Sequence, residues 1–256
     1  MANVLVCIKR VPDSSGQILL TDDAQGIDAR YVGFTVSDHE NAAVELAITV
    51  ADATGGTVTV VTVGSEDATE QLRDALALGG HAAVLVEADP AALGPADVAR
   101  EIAAVVTDHE ANGTTYDLVL LGNDAADSGD FQVSIRLAHH LGRPIVSGAS
   151  TLEVADGTLV AHVDGPDGQE TYTVPLPAVA SVMEGGVEPR YPTLKGRMAA
   201  KKIPIESRST TGELEGAHRV RLLLPPEEKS SVEVLGEGPE AAAAVVDLLQ
   251  RLAVVR

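Results

Sequence analysis

The sequence predicts an α/β protein whose core is a doubly wound, mostly parallel sheet, and three observations point to it. Short runs rich in Val, Leu and Ile alternate with longer stretches whose apolar residues recur at helical spacing. The short runs are almost continuously apolar, as strands buried on both faces of a sheet must be. Glycines follow several of the helical stretches, where they favour helix termination. Such alternation is typical of parallel strands joined by crossover helices.

The first half of the chain contains four predicted strands and three predicted helices. The strands are the apolar runs at residues 4–8, 57–63, 82–87 and 116–122. The helices are the periodic stretches at residues 37–53, 66–78 and 95–110. Ser37 or Asp38 can cap the first helix, Gly79 and Gly80 end the second, and Gly113 follows the third.

The pattern changes after residue 150 to shorter, alternating runs. These occupy residues 151–155, 158–164, 170–176 and 178–183, with turn-forming residues at 156–157 and 166–168. We interpret them as an antiparallel hairpin extension that completes the sheet. From Ile203 to Gly238 the chain is polar, and a final helix is predicted from Pro239 to about Leu252. This tail has too little apolar surface to form a domain of its own.

Composition and charge exclude several classes of function. The formal net charge is −20, which disfavours nucleic acid as a partner because phosphates repel an acidic surface. The single cysteine, Cys7, excludes an intramolecular disulfide and a cysteine-built metal site, which suggests a reducing cytoplasm. No signal peptide is apparent, and no apolar run reaches the roughly 18 residues that span a bilayer. We therefore expect a soluble cytoplasmic protein with no direct membrane insertion.

Residues 190–202 carry five of the chain's eighteen basic side chains. Such a concentration on an acidic background indicates an anionic ligand or a partner surface, although a solvated basic loop would have the same composition. Pro189 and Pro192 argue against a continuing helix or central strand, so we predict a loop. Tyr191 and Leu194 are apolar residues on this loop, and an exposed Leu there suggests an anchor for another protein.

The loop after the fourth predicted strand, GNDAADSGDFQVS at residues 122–134, is the strongest candidate for a ligand site. Its small residues let backbone amides approach a phosphate, and the following helix offers free N–H groups. An ordinary turn capped by Asp127 or Ser128 is the alternative. Three aspartates on the loop weigh against a triphosphate, and the chain has neither GxxxxGK[ST] nor GxGxxG after its first strand.

No set of residues in the sequence has the pattern of a catalytic or metal centre. His139 and His140 are adjacent on a predicted helix, so their side chains diverge by about 100° and cannot chelate one metal together. Motifs of the G-x-S-x-G, H-E-x-x-H and C-x-x-C types are missing from the sequence. We predict no catalytic residue and no metal, which suits a carrier protein.

Two segments resemble the electron transfer flavoprotein beta subunit, also known as the FixA family. EPRYPTLKGRMAAKK at residues 188–202 follows the family pattern EPRYxTLxxxMxAKKK, and LVCIKRVPD at residues 5–13 is similar to the family's first strand and loop. The resemblance implies a Rossmann-like, adenine-nucleotide-binding fold and an electron carrier with no enzyme activity of its own. It implies a heterodimer in which an alpha subunit holds most of the FAD. The beta subunit then binds AMP and forms one wall of the flavin site with residues 9–14.

The same resemblance implies partners and an exchange of electrons. Flavin dehydrogenases, such as the acyl-CoA dehydrogenases of fatty acid oxidation, would donate electrons, and a membrane quinone oxidoreductase of the respiratory electron transport chain would accept them. The implied domains are a nucleotide-binding domain at 1–187, a basic recognition loop at 188–206, and an arm at 207–256 that packs on the alpha subunit. Leu194 would insert into a pocket of the dehydrogenase.

The resemblance also assigns residues to sites. The cofactor-binding residues lie where strands end or helices begin: Cys7, Ser37, Asp38, His39, Glu40, Val63, Gly64, Asn123, Asp124, Ala125, Ala126, Asp127, Ser128, Gly129, Asp130, Phe131, Gln132, Val133 and Ser134. The partner-docking residues lie on the basic loop: Arg190, Tyr191, Leu194, Lys195, Arg197, Met198, Lys201 and Lys202.

The sequence departs from the family at two places and leaves two alternatives. Residues 37–40 replace a frequent Asn-Pro-Phe run, and Ser14 stands where some relatives have an aromatic next to the flavin. A bifurcating type would hold a second FAD, which oxidises NADH, in place of AMP. A stand-alone nucleotide-binding stress-type protein would explain residues 1–140 but not the basic loop or the arm. Counting flavins and testing for a copurifying partner separates the three.

Overall fold

The computed structural model describes residues 1–214, 216–226 and 232–255. The chain divides into two units, Met1–Leu222 and Leu223–Arg256. Parts of the predicted arm, namely residues 215, 227–231 and 256, lie outside the described residues.

A nine-stranded sheet forms the core of the first unit. Its strands are β1 (Val4–Cys7), β4 (Val58–Gly64), β5 (Ala82–Glu87), β6 (Leu118–Gly122), β7 (Ile145–Ala155), β8 (Thr158–Gly165), β9 (Gly168–Pro175), β10 (Ala178–Val182) and β11 (Ile205–Ser209). A separate two-stranded ribbon pairs β2 (Val11–Pro12) with β3 (Phe34–Thr35). The sheet order is β11-β5-β4-β1-β6-β10-β7-β8-β9, parallel up to β7 and antiparallel beyond it. The predicted fold class is thereby confirmed.

Helices cover both faces of the parallel strands. In the first unit they are α1 (Asp38–Thr54), α2 (Thr69–Leu78), α3 (Pro95–Ala111), α4 (Val133–Leu141) and α5 (Leu194–Ala200). One apolar cluster joins α1 and α2 to the sheet, and a second joins α3 and α4 to its other face. The central strands are completely buried, which explains why their sequences read as unbroken apolar runs.

The hairpin interpretation of residues 151–183 is correct for three strands and wrong for the fourth. β7, β8 and β9 form the antiparallel extension, although β7 begins at Ile145. β10 instead returns to the middle of the sheet and lies parallel between β6 and β7. All five of its residues are buried, so it belongs to the core.

The segment that we predicted as a loop contains the short helix α5. Pro189 and Pro192 do precede it, but Thr193 caps it through a hydrogen bond from the Gly196 N–H to the Thr193 Oγ1 atom, 3.0 Å. Directly after it, β11 joins the sheet edge beside β5, where we had expected only the beginning of a polar arm. Three of the five residues of β11 are exposed, which is why its sequence is polar.

The described part of the second unit contains a short 3-10 turn and the helix α6 (Ala242–Arg251). The predicted final helix is thus present. Neither element contains a buried residue, and Val245 and Val246 are 40% and 46% exposed. Within the described ranges of the chain, none of the helices combines the length and apolar composition needed to cross a bilayer.

Candidate functional site

The order in which successive strands join the sheet reverses at β1. This reversal leaves a crevice at the edge formed by the carboxyl ends of the strands. From β1 the chain builds outward through β4 and β5, and it then returns to form β6 on the other side of β1. Ligands of open α/β sheets bind at such a reversal, outside the carboxyl ends of the strands. Cys7 ends β1 and Gly122 ends β6, so both border this crevice.

The structure places every predicted cofactor-binding residue at this edge. Cys7 ends β1, Val63 and Gly64 end β4, and Ser37 caps α1 while Asp38, His39 and Glu40 form its first turn. The remainder form the connection from β6 into the first turn of α4: Asn123, Asp124, Ala125, Ala126, Asp127, Ser128, Gly129, Asp130, Phe131, Gln132, Val133 and Ser134. Phe131 is 55% exposed and points away from the core, whereas Ser134 is buried.

Glu40 lies at the centre of the crevice and is only 6% exposed. Its Oε2 atom accepts hydrogen bonds from the Ser37 N–H at 3.0 Å and the Ser37 Oγ at 2.7 Å, which completes a capping box. A side chain at Gly122 would place its Cβ atom 2.7 Å from the Glu40 Cγ atom. The absence of a side chain at Gly122 therefore lets the start of α1 pack against the end of β6.

Burial dominates the electrostatics of this centre. It raises the pKa of Glu40 to about 7, although hydrogen bonds from Ser37 and the charge of Lys9 act in the opposite direction. Burial also raises the pKa of Cys7, and the neighbouring Glu40 carboxylate adds to the effect. Cys7 is therefore a neutral thiol in the core and is not a nucleophile.

The loop from Asn123 to Gln132 is tied to β1 and β10 and leaves the next helix uncapped. Asp127 accepts a hydrogen bond from the Lys9 Nζ atom at 2.6 Å, and the Asn123 Oδ1 atom accepts one from Ser181 Oγ at 2.7 Å. No side chain caps α4, and its first turn has no acidic residue. Neither Asp127 nor Ser128 caps α4, so the predicted capping role of these residues is wrong. The first turn of α4 therefore has free backbone N–H groups and the positive end of the helix dipole.

Two glycines at the carboxyl edge provide a test that separates folding from ligand binding. A Cβ atom at Gly122 would crowd the Glu40 N atom at 3.1 Å as well as its side chain, whereas a Cβ atom at Gly64 meets nothing within 4 Å. We expect Gly122→Ala to lower the free energy of unfolding by about 1–3 kcal/mol. Gly64→Ala should leave stability unchanged and weaken nucleotide binding, because its methyl group enters the open space beside β4. Urea unfolding and nucleotide titration measure the two effects, and equal stabilities of both variants would contradict the packing argument.

The predicted docking residues surround α5, which is fixed to α2. A Cβ atom at Gly196 would lie 2.3 Å from the Ala77 carbonyl oxygen, and Ala200 is buried. Three exposed apolar side chains form a row along this segment. Leu194 and Met198, four positions apart on the helix, are 78% and 61% exposed, and Tyr191, which precedes the helix, is 90% exposed.

The cations of the docking segment fall into two groups. Arg190 forms a two-pronged ion pair with Glu45, 2.8 Å at both contacts, and Arg197 lies 3.2 Å from Asp74. Both arginines therefore hold the segment to α1 and α2 instead of standing free. Among the described residues, no ion pair involves Lys195, Lys201 or Lys202, so these lysines provide the free positive charge around the apolar row.

Replacing Gly196 tests whether close packing of α5 on α2 orients the apolar row. Alanine favours a helix over glycine by about 1 kcal/mol, so propensity alone predicts a more stable α5. We expect the opposite for Gly196→Ala because its methyl group would collide with the Ala77 carbonyl. Amide hydrogen exchange across α5 should become faster, while Lys195→Ala in the same helix should leave it unchanged. Slower exchange in Gly196→Ala would contradict this packing.

Sequence reasoning did not identify several residues of the site. Lys9 was assigned to the flavin wall, but its partner Asp127 lies 118 positions away, beyond the reach of local pattern. Ser181 is buried within β10 and supports Asn123, and the His39 Nδ1 atom accepts a hydrogen bond from the Glu184 N–H at 3.1 Å. Either contact could have been predicted only if β10 had been placed at the centre of the sheet.

Comparison with known proteins gives consistent results. The profile of the electron transfer flavoprotein domain matches residues 26–211. The chain is 34% identical to the electron transfer flavoprotein subunit beta of Syntrophomonas wolfei over 94% of this chain and 92% of that protein. Its identity to the subunit beta of Bacillus subtilis is 32% over 97% of both chains. It is also 30% identical to the caffeyl-CoA reductase-Etf complex subunit CarD of Acetobacterium woodii, over 79% of this chain and 76% of that protein.

Proposed function

The chain belongs to the beta subunits of the electron transfer flavoprotein family, and on this basis we propose that it pairs with an alpha subunit, binds AMP and docks flavin dehydrogenases. The family works in electron transfer, and the chain's own part is to bind and orient. The observation that carries the AMP assignment is the position of all nineteen predicted cofactor residues along one edge, around the reversal at β1.

The residues at this edge fit a nucleoside monophosphate. The uncapped first turn of α4 offers amides to a phosphate, and the buried Ser134 is in the same turn. Gly64 faces open space in which a ring or sugar can lie. The loop contains three aspartates, Asp124, Asp127 and Asp130. Their charges favour a single phosphate over a longer chain of phosphates.

The redox chemistry belongs to FAD, which accepts electrons from a donor and passes them on when bound between the subunits. In this proposal, residues 9–14 form one wall of that site. They leave the carboxyl end of β1, and the ribbon of β2 and β3 fixes their course through the pairing of Val11 with Thr35. The arm at residues 207–256 packs on the alpha subunit, and the apolar residues of α6 face that partner.

Docking of the donor is assigned to α5. Leu194 enters a pocket of the dehydrogenase, and the exposed side chains of Tyr191 and Met198 extend the contact. Lys195, Lys201 and Lys202 steer an acidic partner surface, while Arg190 and Arg197 maintain the shape of the segment. Acyl-CoA dehydrogenases suit this role as donors and a membrane quinone oxidoreductase as the acceptor, in an electron transport chain of the cytoplasm and its membrane.

Co-expression with the alpha subunit tests the proposal directly. We expect a one-to-one heterodimer that contains one FAD and one AMP, measured by absorbance and by chromatography of the released nucleotides. A chain that purifies alone with bound nucleotide would instead support the stand-alone nucleotide-binding alternative. The comparisons favour the subunit, because the relative from B. subtilis matches 97% of the chain, including the arm.

A bifurcating type is the second candidate, and the similarity to CarD, a subunit of a caffeyl-CoA reductase-Etf complex, favours it. In that case the crevice would hold a second FAD that oxidises NADH. Two flavins per heterodimer and bleaching of the flavin absorbance by NADH would establish this type. One flavin with AMP, and no response to NADH, would establish the simple carrier.

A further inference from the structure

Arg10 is a half-buried cation, and the described part of this acidic chain provides no acceptor for it. Its guanidinium carbon lies 3.5 Å from the centre of the Phe34 ring. The Nε atom is buried and donates no hydrogen bond, and across residues 1–214, 216–226 and 232–255 the side chain has no ion pair. The chain has 38 acidic residues, so an arginine left in this state is unusual.

The backbone of Phe34, whose ring lies beneath Arg10, is tied to α2. Phe34 belongs to β3, and its carbonyl oxygen accepts a hydrogen bond from the Gln71 Nε2 atom of α2 at 3.4 Å. Gln71 is 3% exposed, and its Oε1 atom is buried without a donor. Phe34 is therefore flanked by one buried donor and one buried acceptor that lack partners. The ring contact restricts the plane of the guanidinium, for which residues 1–214, 216–226 and 232–255 supply no acceptor.

Arg30 shows that stacking alone does not keep an arginine unpaired in this protein. Its guanidinium lies 5.5 Å from the centre of the Tyr31 ring, yet it also donates hydrogen bonds to both carboxylate oxygens of Asp28. Arg10 has the closer ring, and none of the described carboxylates pairs with it. Its location next to Lys9, just beyond the carboxyl end of β1, places it beside the crevice.

We propose that Arg10 receives an oxyanion from outside this chain. A guanidinium binds phosphate and carboxylate through paired, parallel hydrogen bonds, and the Phe34 ring holds its plane ready for them. The oxyanion is either the phosphate group of a small molecule or a carboxylate of the alpha subunit. The second source rests on the proposed heterodimer, and the first does not.

Nitrogen-15 NMR of the full chain tests the small-molecule source. The Nε–H signal of Arg10 is identified by its loss in Arg10→Gln, and it is followed during titration with inorganic phosphate or AMP against sodium chloride of equal ionic strength. We expect a saturable shift that chloride does not produce. Phe34→Leu should weaken binding roughly two- to fivefold because the ring contact is lost. Arg30→Gln, the matched control, should bind as the unchanged protein does.

The affinity between the two subunits tests whether the oxyanion is a carboxylate of the alpha subunit. If neither phosphate nor AMP shifts the signal, we expect Arg10→Gln to weaken subunit association at least about tenfold, and Arg30→Gln to leave it unchanged. Arg10→Lys should recover only part of the loss, because an ammonium lacks the planar fork. An unshifted signal together with unchanged association would overturn the proposal. If the unchanged chain forms no heterodimer, the proposed function fails and the titration alone decides the role of Arg10.

Discussion

Leu194→Ala is expected to slow electron transfer from the donor dehydrogenase roughly tenfold to a hundredfold at low protein concentration. The side chain is 78% exposed on α5, so its truncation leaves no cavity in this subunit. Burial of a Leu in a partner pocket contributes about 1.5–3 kcal/mol, and its loss appears as weaker docking. The reduction of the heterodimer's FAD by substrate-reduced dehydrogenase, followed by stopped-flow absorbance, measures the effect. The spectrum of bound FAD should be unchanged.

Tyr172→Ala is the matched control for this experiment. Tyr172 is a large side chain on β9, 44% exposed and far along the sheet order from the strands that border α2 and α5. We expect this variant to transfer electrons at the original rate. Equal rates for Leu194→Ala and the original chain would remove Leu194 from the docking surface, whereas a loss of bound FAD would show that the substitution acts through the flavin site.

Stability is expected to decrease by about 3 kcal/mol between pH 4.5 and pH 7 because of Glu40. Burial raises the pKa of this carboxyl from its ordinary value of 4.5 to about 7, so the folded chain holds the proton more tightly than the unfolded chain does. The stabilisation is complete below pH 4.5 and is lost as the pH rises through about 7. Urea unfolding at a series of pH values measures this trend.

Glu40→Gln should remove this contribution, because an amide oxygen can still accept the hydrogen bonds of Ser37 without becoming charged. Glu45 on the same helix should change stability with pH in the opposite direction, and Glu45→Gln tests this. Burial alone would raise the pKa of Glu45, but the hydrogen bonds from Arg190 outweigh it and lower the pKa. The stabilisation that ionised Glu45 contributes is therefore complete above its ordinary pKa. It is lost as the pH falls through the lowered pKa of the folded chain. A Glu40→Gln variant whose stability changes with pH as the original's does would refute the assignment to Glu40.

The sequence pattern was sufficient to predict the parallel core. It was insufficient for elements whose partners are distant in the chain. β1, β4, β5 and β6 are apolar on both faces, so their composition alone predicts burial. β10 is just as apolar, but it follows β9 after only two residues, a spacing typical of a hairpin. α5 begins directly after Pro192, and the stronger signal there was Thr193 in a capping position. β11 is a polar edge strand, so its periodicity is weak.

The position of the site was predictable, and its internal contacts were not. The rule for open sheets selects the carboxyl edge, which requires only the order of strands and helices. The Lys9–Asp127 pair, the burial of Glu40 and the unpaired state of Arg10 each depend on segments that are far apart in the chain. Whether a charged side chain is paired, buried or free is a property of the folded chain, and single-sequence pattern carries little information about it.

The central position of β10 determines when the sheet can close during protein synthesis. β6 is complete at Gly122, but the strand that covers its outer edge ends at Val182, and the strand beside β5 ends at Ser209. A growing chain of intermediate length therefore has two unpaired parallel edges, both capable of pairing with other chains. Chains that stop before Val182 should aggregate, whereas those that end after Ser209 have both edges covered. We therefore expect the soluble yield to depend on how soon the later strands arrive.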